Sequence, residues 1–88
     1  MRPTSIEIQQ ILQAALQPQT LEVTDDSHLH VGHAGAREGG HFSVRIVSER
    51  FNGLSRLARH RLVYDALRSQ VQQGIHALAI DARAPTES

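Results

Sequence analysis

Between Arg50 and His76 the chain reads RFNGLSRLARHRLVYDALRSQVQQGIH, and this stretch limits the possible folds more than any other. Val63, Leu67 and Val71 recur at i, i+4 and i+8, with Leu57 at the start and Leu62 and Tyr64 widening the stripe. That spacing predicts a helical segment over residues 55–73 with one apolar face. Before it, residues 41–49 alternate: Phe42, Val44 and Ile46 on one face, Ser43, Arg45 and Val47 on the other. After it, residues 75–82 form a further strand, in which Leu78 and Ile80 share a face with His76 while Ala77 and Ala79 sit opposite. Two strands joined through helix can lie parallel in one sheet by a right-handed crossover, and the connecting helix then covers one sheet face. Arg59-His60-Arg61 interrupts the apolar stripe, so a short helix, a kink and a longer helix are expected. Gly74 is placed to end the segment in the left-handed conformation.

Upstream, Thr4-Ser5-Ile6-Glu7 fits a capping box, in which Thr4 accepts from the Glu7 amide and the Glu7 carboxylate reaches back. Ile8, Ile11, Leu12, Ala15 and Leu16 follow at helical spacing until Pro18 ends the helix. Residues 21–24 alternate as a short strand, closed by Asp25-Asp26-Ser27. Residues 27–40 carry His28, His30 and His33 with Gly32, Gly35, Gly39 and Gly40, and no periodicity survives among them. This is a loop, longer than an ordinary hairpin connection, and so either mobile or functional. Asn52-Gly53 reads as a turn, and residues 84–88 as a frayed tail. The order αββααβ predicts an α+β fold: one mixed three-stranded sheet, its first hairpin antiparallel, with the helices on one face. Residues 1–88 form a single domain without internal repeat.

Composition narrows the function classes. The formal net charge is zero, which argues against a strong nonspecific nucleic-acid binder. Every cation is an arginine, however, and Arg50, Arg56, Arg59, Arg61 and Arg68 all lie in the central segment. With no cysteine the chain can supply neither a disulfide nor a thiolate ligand, in keeping with a reducing cytoplasm. No apolar run reaches membrane-spanning length, so no membrane partner is expected. No nucleophile–base pair or paired carboxylates stand out, which argues against an enzyme. Six histidines are the compositional excess that asks for a reason.

Several separated motifs resemble the BolA family. They are Val47-Ser48 with Phe51-x-Gly53, then Arg59-His60-Arg61-Leu62-Val63-Tyr64, then Gly74-Ile75-His76-Ala77-Leu78. Asp26-Ser27 followed by His30, and His41-Phe42 opening the second strand, also fit, so the resemblance covers residues 5–85. It implies a fold similar to the class II KH domain. It also implies a partnership with a monothiol glutaredoxin, with which a [2Fe–2S] cluster is shared together with glutathione, and none is expected in the isolated chain. The role implied is in cluster trafficking and iron-responsive regulation. Bacterial members are also described as transcriptional regulators of morphology and stress, which makes DNA the alternative partner. Alone, the chain is expected to be a monomer or a weak homodimer.

By the same resemblance, His76 stands where the family has its most constant cluster ligand, and the second ligand comes from the loop between the first two strands. Neutral imidazole suits iron, and histidine in place of thiolate raises a cluster's potential. In that loop His30 is the best match and His33 its rival. A closed zinc site is not expected from His28-x-His30-x-x-His33, whose spacing lacks the paired pattern. His41 reads as a strand opener and cap. Arg56, Arg59, His60 and Arg61 are candidate contacts to a phosphate or a partner, since guanidinium suits bidentate oxyanion recognition. Against nucleic acid, Asn52-Gly53-Leu54-Ser55 keeps only one glycine of the Gly-x-x-Gly clamp used by KH modules.

Overall fold

A computed structural model describes residues 3–27 and 40–87. The order of elements is α1 (Ser5–Leu16), β1 (Thr20–Asp25), β2 (Gly40–Val47), α2 (Arg56–Ala66), α3 (Arg68–Gln73) and β3 (Ile75–Arg83). A 3-10 turn over Glu49–Phe51 follows β2, and another over Pro85–Glu87 follows β3. The sheet runs β1-β2-β3, with β1 antiparallel and β3 parallel to β2. The αββααβ, α+β architecture expected from the spacing is therefore the one observed.

α1 and α2 each begin where the sequence provides a side-chain acceptor. Thr4 Oγ1 accepts from the Glu7 amide at 3.1 Å, and Ser55 Oγ does the same for Ala58 at 3.1 Å. At its other end α1 closes through Gln17, which adopts a left-handed backbone with φ 47° just before Pro18. The buried row Ile8, Leu12 and Leu16 of α1 meets Phe42, Val44 and Ile46 of β2, and Val63 and Leu67 complete the layer from above. Phe51 from the 3-10 turn is fully enclosed in the same core. Ser48 is the one buried polar residue among those described; its hydroxyl donates to the Leu16 carbonyl at 2.7 Å and accepts the Arg50 amide. That satisfied hydroxyl ties the end of β2 to the end of α1.

Three local expectations are corrected. The Arg59-His60-Arg61 run does not break the helix: α2 continues through it, and the break falls at Leu67, whose amide is shared between the Val63 and Tyr64 carbonyls. The longer helix therefore comes first. Charged residues interrupt a stripe without interrupting a helix when their heads reach solvent or a partner, and Arg59 finds several partners. Leu57 belongs to no core stripe, being 61% exposed. Nor do residues 84–87 fray. Ala84 is buried, and the Pro85–Glu87 turn is pinned to α2 by a salt bridge from Arg59 to Glu87.

A fourth departure concerns the start of β3. Gly74 ends α3 with φ 141°, positive as expected but beyond the left-handed helical value. Ile75 then pairs with Gly40 and Ala77 with His41, so the register slips by one residue and His76 is the extra one. Strict alternation would turn His76 inward with Leu78 and Ile80. The irregularity instead leaves Ile75 buried and His76 exposed.

A histidine pair at the mouth of the hairpin

The candidate site lies where β2 and β3 begin. His76 projects from the irregular first turn of β3, and the His41 ring on the neighbouring strand lies with its centroid 5.1 Å away, the two planes tilted by 52°. At that separation the two rings are in contact, so the imidazole of His41 is the described histidine side chain that adjoins His76. His76 is exposed and His41 half-buried, with its Nε2 shielded from solvent. Strands hold both residues, which fixes their Cα positions more tightly than a loop does.

The hairpin mouth beside them is closely tied. The Asp26 amide donates to the His41 carbonyl at 2.7 Å, and the His41 amide donates to Ser27 Oγ at 3.0 Å. The Ser27 amide in turn donates to Asp25 Oδ1 at 2.9 Å, and the Ser43 hydroxyl donates to the Asp26 carboxylate. Across the other side, the Gly40 amide donates to the Gly74 carbonyl at 2.7 Å, two residues before His76. Ser27 is thus bonded to the start of β2 at His41, and Gly40 to Gly74 at the start of β3, the strand that carries His76. His28, His30 and His33 lie outside the described residues. Among the described residues no cluster of three or more His, Asp or Glu side chains forms a metal site.

The sequence favours His41 as a strand opener and cap over a ligand. Its place on that side of the sheet was legible in part: it is out of phase with Phe42 and Val44, and so faces away from the core, on a strand expected to run parallel to the one opened by His76.

The arginine segment forms a separate region at the far end of β3. A cleft of about 630 Å³ is lined there by residues including Arg56, Arg59, His60, Asp81, Arg83 and Glu87. Arg59 turns inward: its Nε donates to the Leu54 carbonyl at 2.9 Å, Nη1 to the Ala82 carbonyl at 3.2 Å, and Nη2 to Glu87 Oε2 at 2.9 Å. The hydrogen bonds from Arg59, joined by one from the Ala84 amide, pull the Glu87 carboxyl down to about 2. Arg83 hydrogen-bonds Asp81 at 2.9 Å and holds its pKa below the usual range, with Arg45 3.9 Å away on the sheet. Arg56 and Arg61 are exposed, and His60 is half-buried against β3. Of the four proposed contact residues, Arg59 is thus committed to the fold.

A mixed three-stranded sheet covered on one face by helices, with histidines at one strand mouth, defines a small α+β class, and comparison with known proteins narrows it. The family model described as BolA-like protein matches residues 12–87, and the chain belongs to that family. It is 43% identical over 88 residues to SufE-like protein 1 of Arabidopsis thaliana, covering 93% of this chain and 24% of that protein. With BolA-like protein 1 of Mus musculus it shares 42% identity, covering 97% of this chain and 61% of the relative. The solved BolA domain of SufE1 from Arabidopsis thaliana superposes with a TM-score of 0.85 at 45% identity, covering 96% of this chain and 94% of that one. The chain thus spans about a quarter and three fifths of the two full-length relatives. No helix among the described residues is long and apolar enough to cross a membrane.

Proposed function

We propose that this BolA-like chain is an iron–sulfur adapter that presents His76 and a second imidazole to one iron of a [2Fe–2S] cluster shared with a monothiol glutaredoxin. BolA-like proteins are in general not enzymes, and the chemistry required of this one is ligation and handover. The observation that carries the reading is the exposed His76 ring at 5.1 Å from that of His41, beside the anchored mouth of a histidine-bearing loop. Three side chains compete for the second position: His41 from the neighbouring strand, and His30 and His33 from the loop. When bound, the cluster supplies a reducible, transferable iron–sulfur unit whose potential rises with histidine ligation. The chain's own part is to hold a neutral imidazole outward on a rigid strand and to leave the remaining iron to a cysteine-bearing partner, since it has no thiol.

The test is co-purification of the full chain with a monothiol glutaredoxin under anaerobic conditions. The complex should give a visible absorption and circular dichroism spectrum distinct from that of the glutaredoxin homodimer. His76→Ala should abolish that spectrum, and separate His41→Ala, His30→Ala and His33→Ala variants should identify the second ligand by which one reproduces the loss. An unchanged spectrum in His76→Ala ends the assignment. The DNA-binding alternative has less support, because the formal net charge is zero and only Gly53 remains of a Gly-x-x-Gly clamp. It requires log affinity to fall by about 0.9 per neutralised phosphate against log salt, and flat salt dependence would remove it.

A further inference from the structure

We infer that the cleft at the C-terminal end of β3 is a binding site for phosphate-class oxyanions, which the chain's own Glu87 carboxylate now occupies. It is independent of the histidine pair: His76 and Ala82 are six residues apart on one strand, roughly 20 Å at about 3.3 Å per residue.

Glu87 is held as a bound anion is held. Its two oxygens face the two terminal nitrogens of one guanidinium, and the backbone amide of Ala84 adds a third donor at 2.9 Å. The guanidinium is built in: the Arg59 side chain is only 13% exposed, and the Leu54 and Ala82 carbonyls fix its plane. The carboxylate has weaker anchorage, since it is 46% exposed on a three-residue 3-10 turn with no buried side chain. A buried receptor paired with a half-exposed ligand is an arrangement in which an external anion can compete.

The chemistry of the cleft favours phosphate over a second carboxylate. Arg56 and His60 line the same space, and neither makes an ion pair with Glu87 among the described residues. A carboxylate has two oxygens to offer, both engaged by Arg59, whereas a phosphoryl group has a third for these remaining donors. Asp81 is the one other anion lining the cleft, and it is turned to Arg83 and Arg45. Displacing Glu87 would free the Arg59 guanidinium for the incoming ion, with Arg56, which lies close enough to Asp81 to help lower its pKa, alongside it.

The experiment measures inorganic phosphate binding to the full chain by calorimetry and by 15N NMR of the Arg59 side chain, against chloride at matched ionic strength. If Glu87 fills the site about nine-tenths of the time, its removal should tighten apparent phosphate affinity about tenfold. Glu87→Gln is thus expected to bind phosphate about tenfold more tightly than the unaltered chain. Adding Arg56→Gln or His60→Gln to Glu87→Gln should take most of that gain away. In the unaltered chain, saturating phosphate should shift the Arg59 Nε signal, a readout that needs no variant to fold. Equal affinity with and without Glu87→Gln overturns the inference, as does a gain that survives both further substitutions or an Arg59 signal that does not move.

Discussion

Gly40 is where a single side chain has most to say about the fold. A methyl group added there would run into the Phe42 ring, which is itself 2% exposed and has nowhere to retreat. Overpacking of this kind costs about 1–3 kcal/mol, so Gly40→Ala should lower the urea midpoint by the corresponding amount at unchanged m-value. Because the Gly40 amide also holds the Gly74 carbonyl, the same variant should loosen the strand start that carries His76. Gln17 offers the opposite case. Its φ of 47° strains any residue with a Cβ, by about 1–2 kcal/mol, whereas glycine would adopt it freely at a smaller entropic loss. Gln17→Gly should therefore stabilise the chain by about 0.5–1 kcal/mol in denaturant titration, the long 3.5 Å contact from Arg50 to the Gln17 side chain being a small forfeit. Neither effect was legible in the sequence. Gly40 and Phe42 share a face of β2 by their spacing, which does not fix where the Phe42 ring lies over that face, and Pro18 announced the end of α1 without specifying the conformation used to end it.

At the scale of elements, the apolar periodicities located α1, the three strands and the α2–α3 segment because each presents apolar side chains to the same core. What they could not locate were the features decided by polar contacts between distant elements. The break at Leu67 instead of Arg59-His60-Arg61 is one, since Arg59 is stabilised by Leu54, Ala82 and Glu87 rather than by its helical neighbours. The ordered Pro85–Glu87 turn is another, and it makes a pH-dependent prediction. The Glu87 carboxyl is lowered to about 2 from an ordinary value of 4.5, so the folded state binds fewer protons than the unfolded one between these values. Its contribution is full above about pH 4.5 and is lost as pH falls towards 2. A thermal-unfolding series over that window should show a steeper decline for the unaltered chain than for Glu87→Gln, and parallel curves would mean that the tie adds nothing. The other pinned element junction is apolar: Leu67, fully enclosed between α2 and α3, should lose about 2–5 kcal/mol on replacement by alanine.

Taken whole, the molecule separates two regions at opposite ends of β3, a histidine pair at its start and an arginine-lined cleft at its finish. The histidine excess signalled the first, yet the companion of His76 emerged only from the pairing of parallel strands and the slip at Gly40. The arginine cluster signalled the second, but not that one arginine would serve the fold. The same helix that carries those arginines also touches the margin of the sheet. Tyr64 donates to the Leu78 carbonyl at 3.3 Å and Arg59 to that of Ala82, four residues further on. Two main-chain acceptors on an outermost strand are thereby withdrawn from any passing polypeptide, so accretion of further strands on that flank is discouraged and β1, bearing Glu22, is left as the more accessible border. A small protein that exposes His76 at one tip of a marginal strand has in this way a guard against self-templating along the remainder of it.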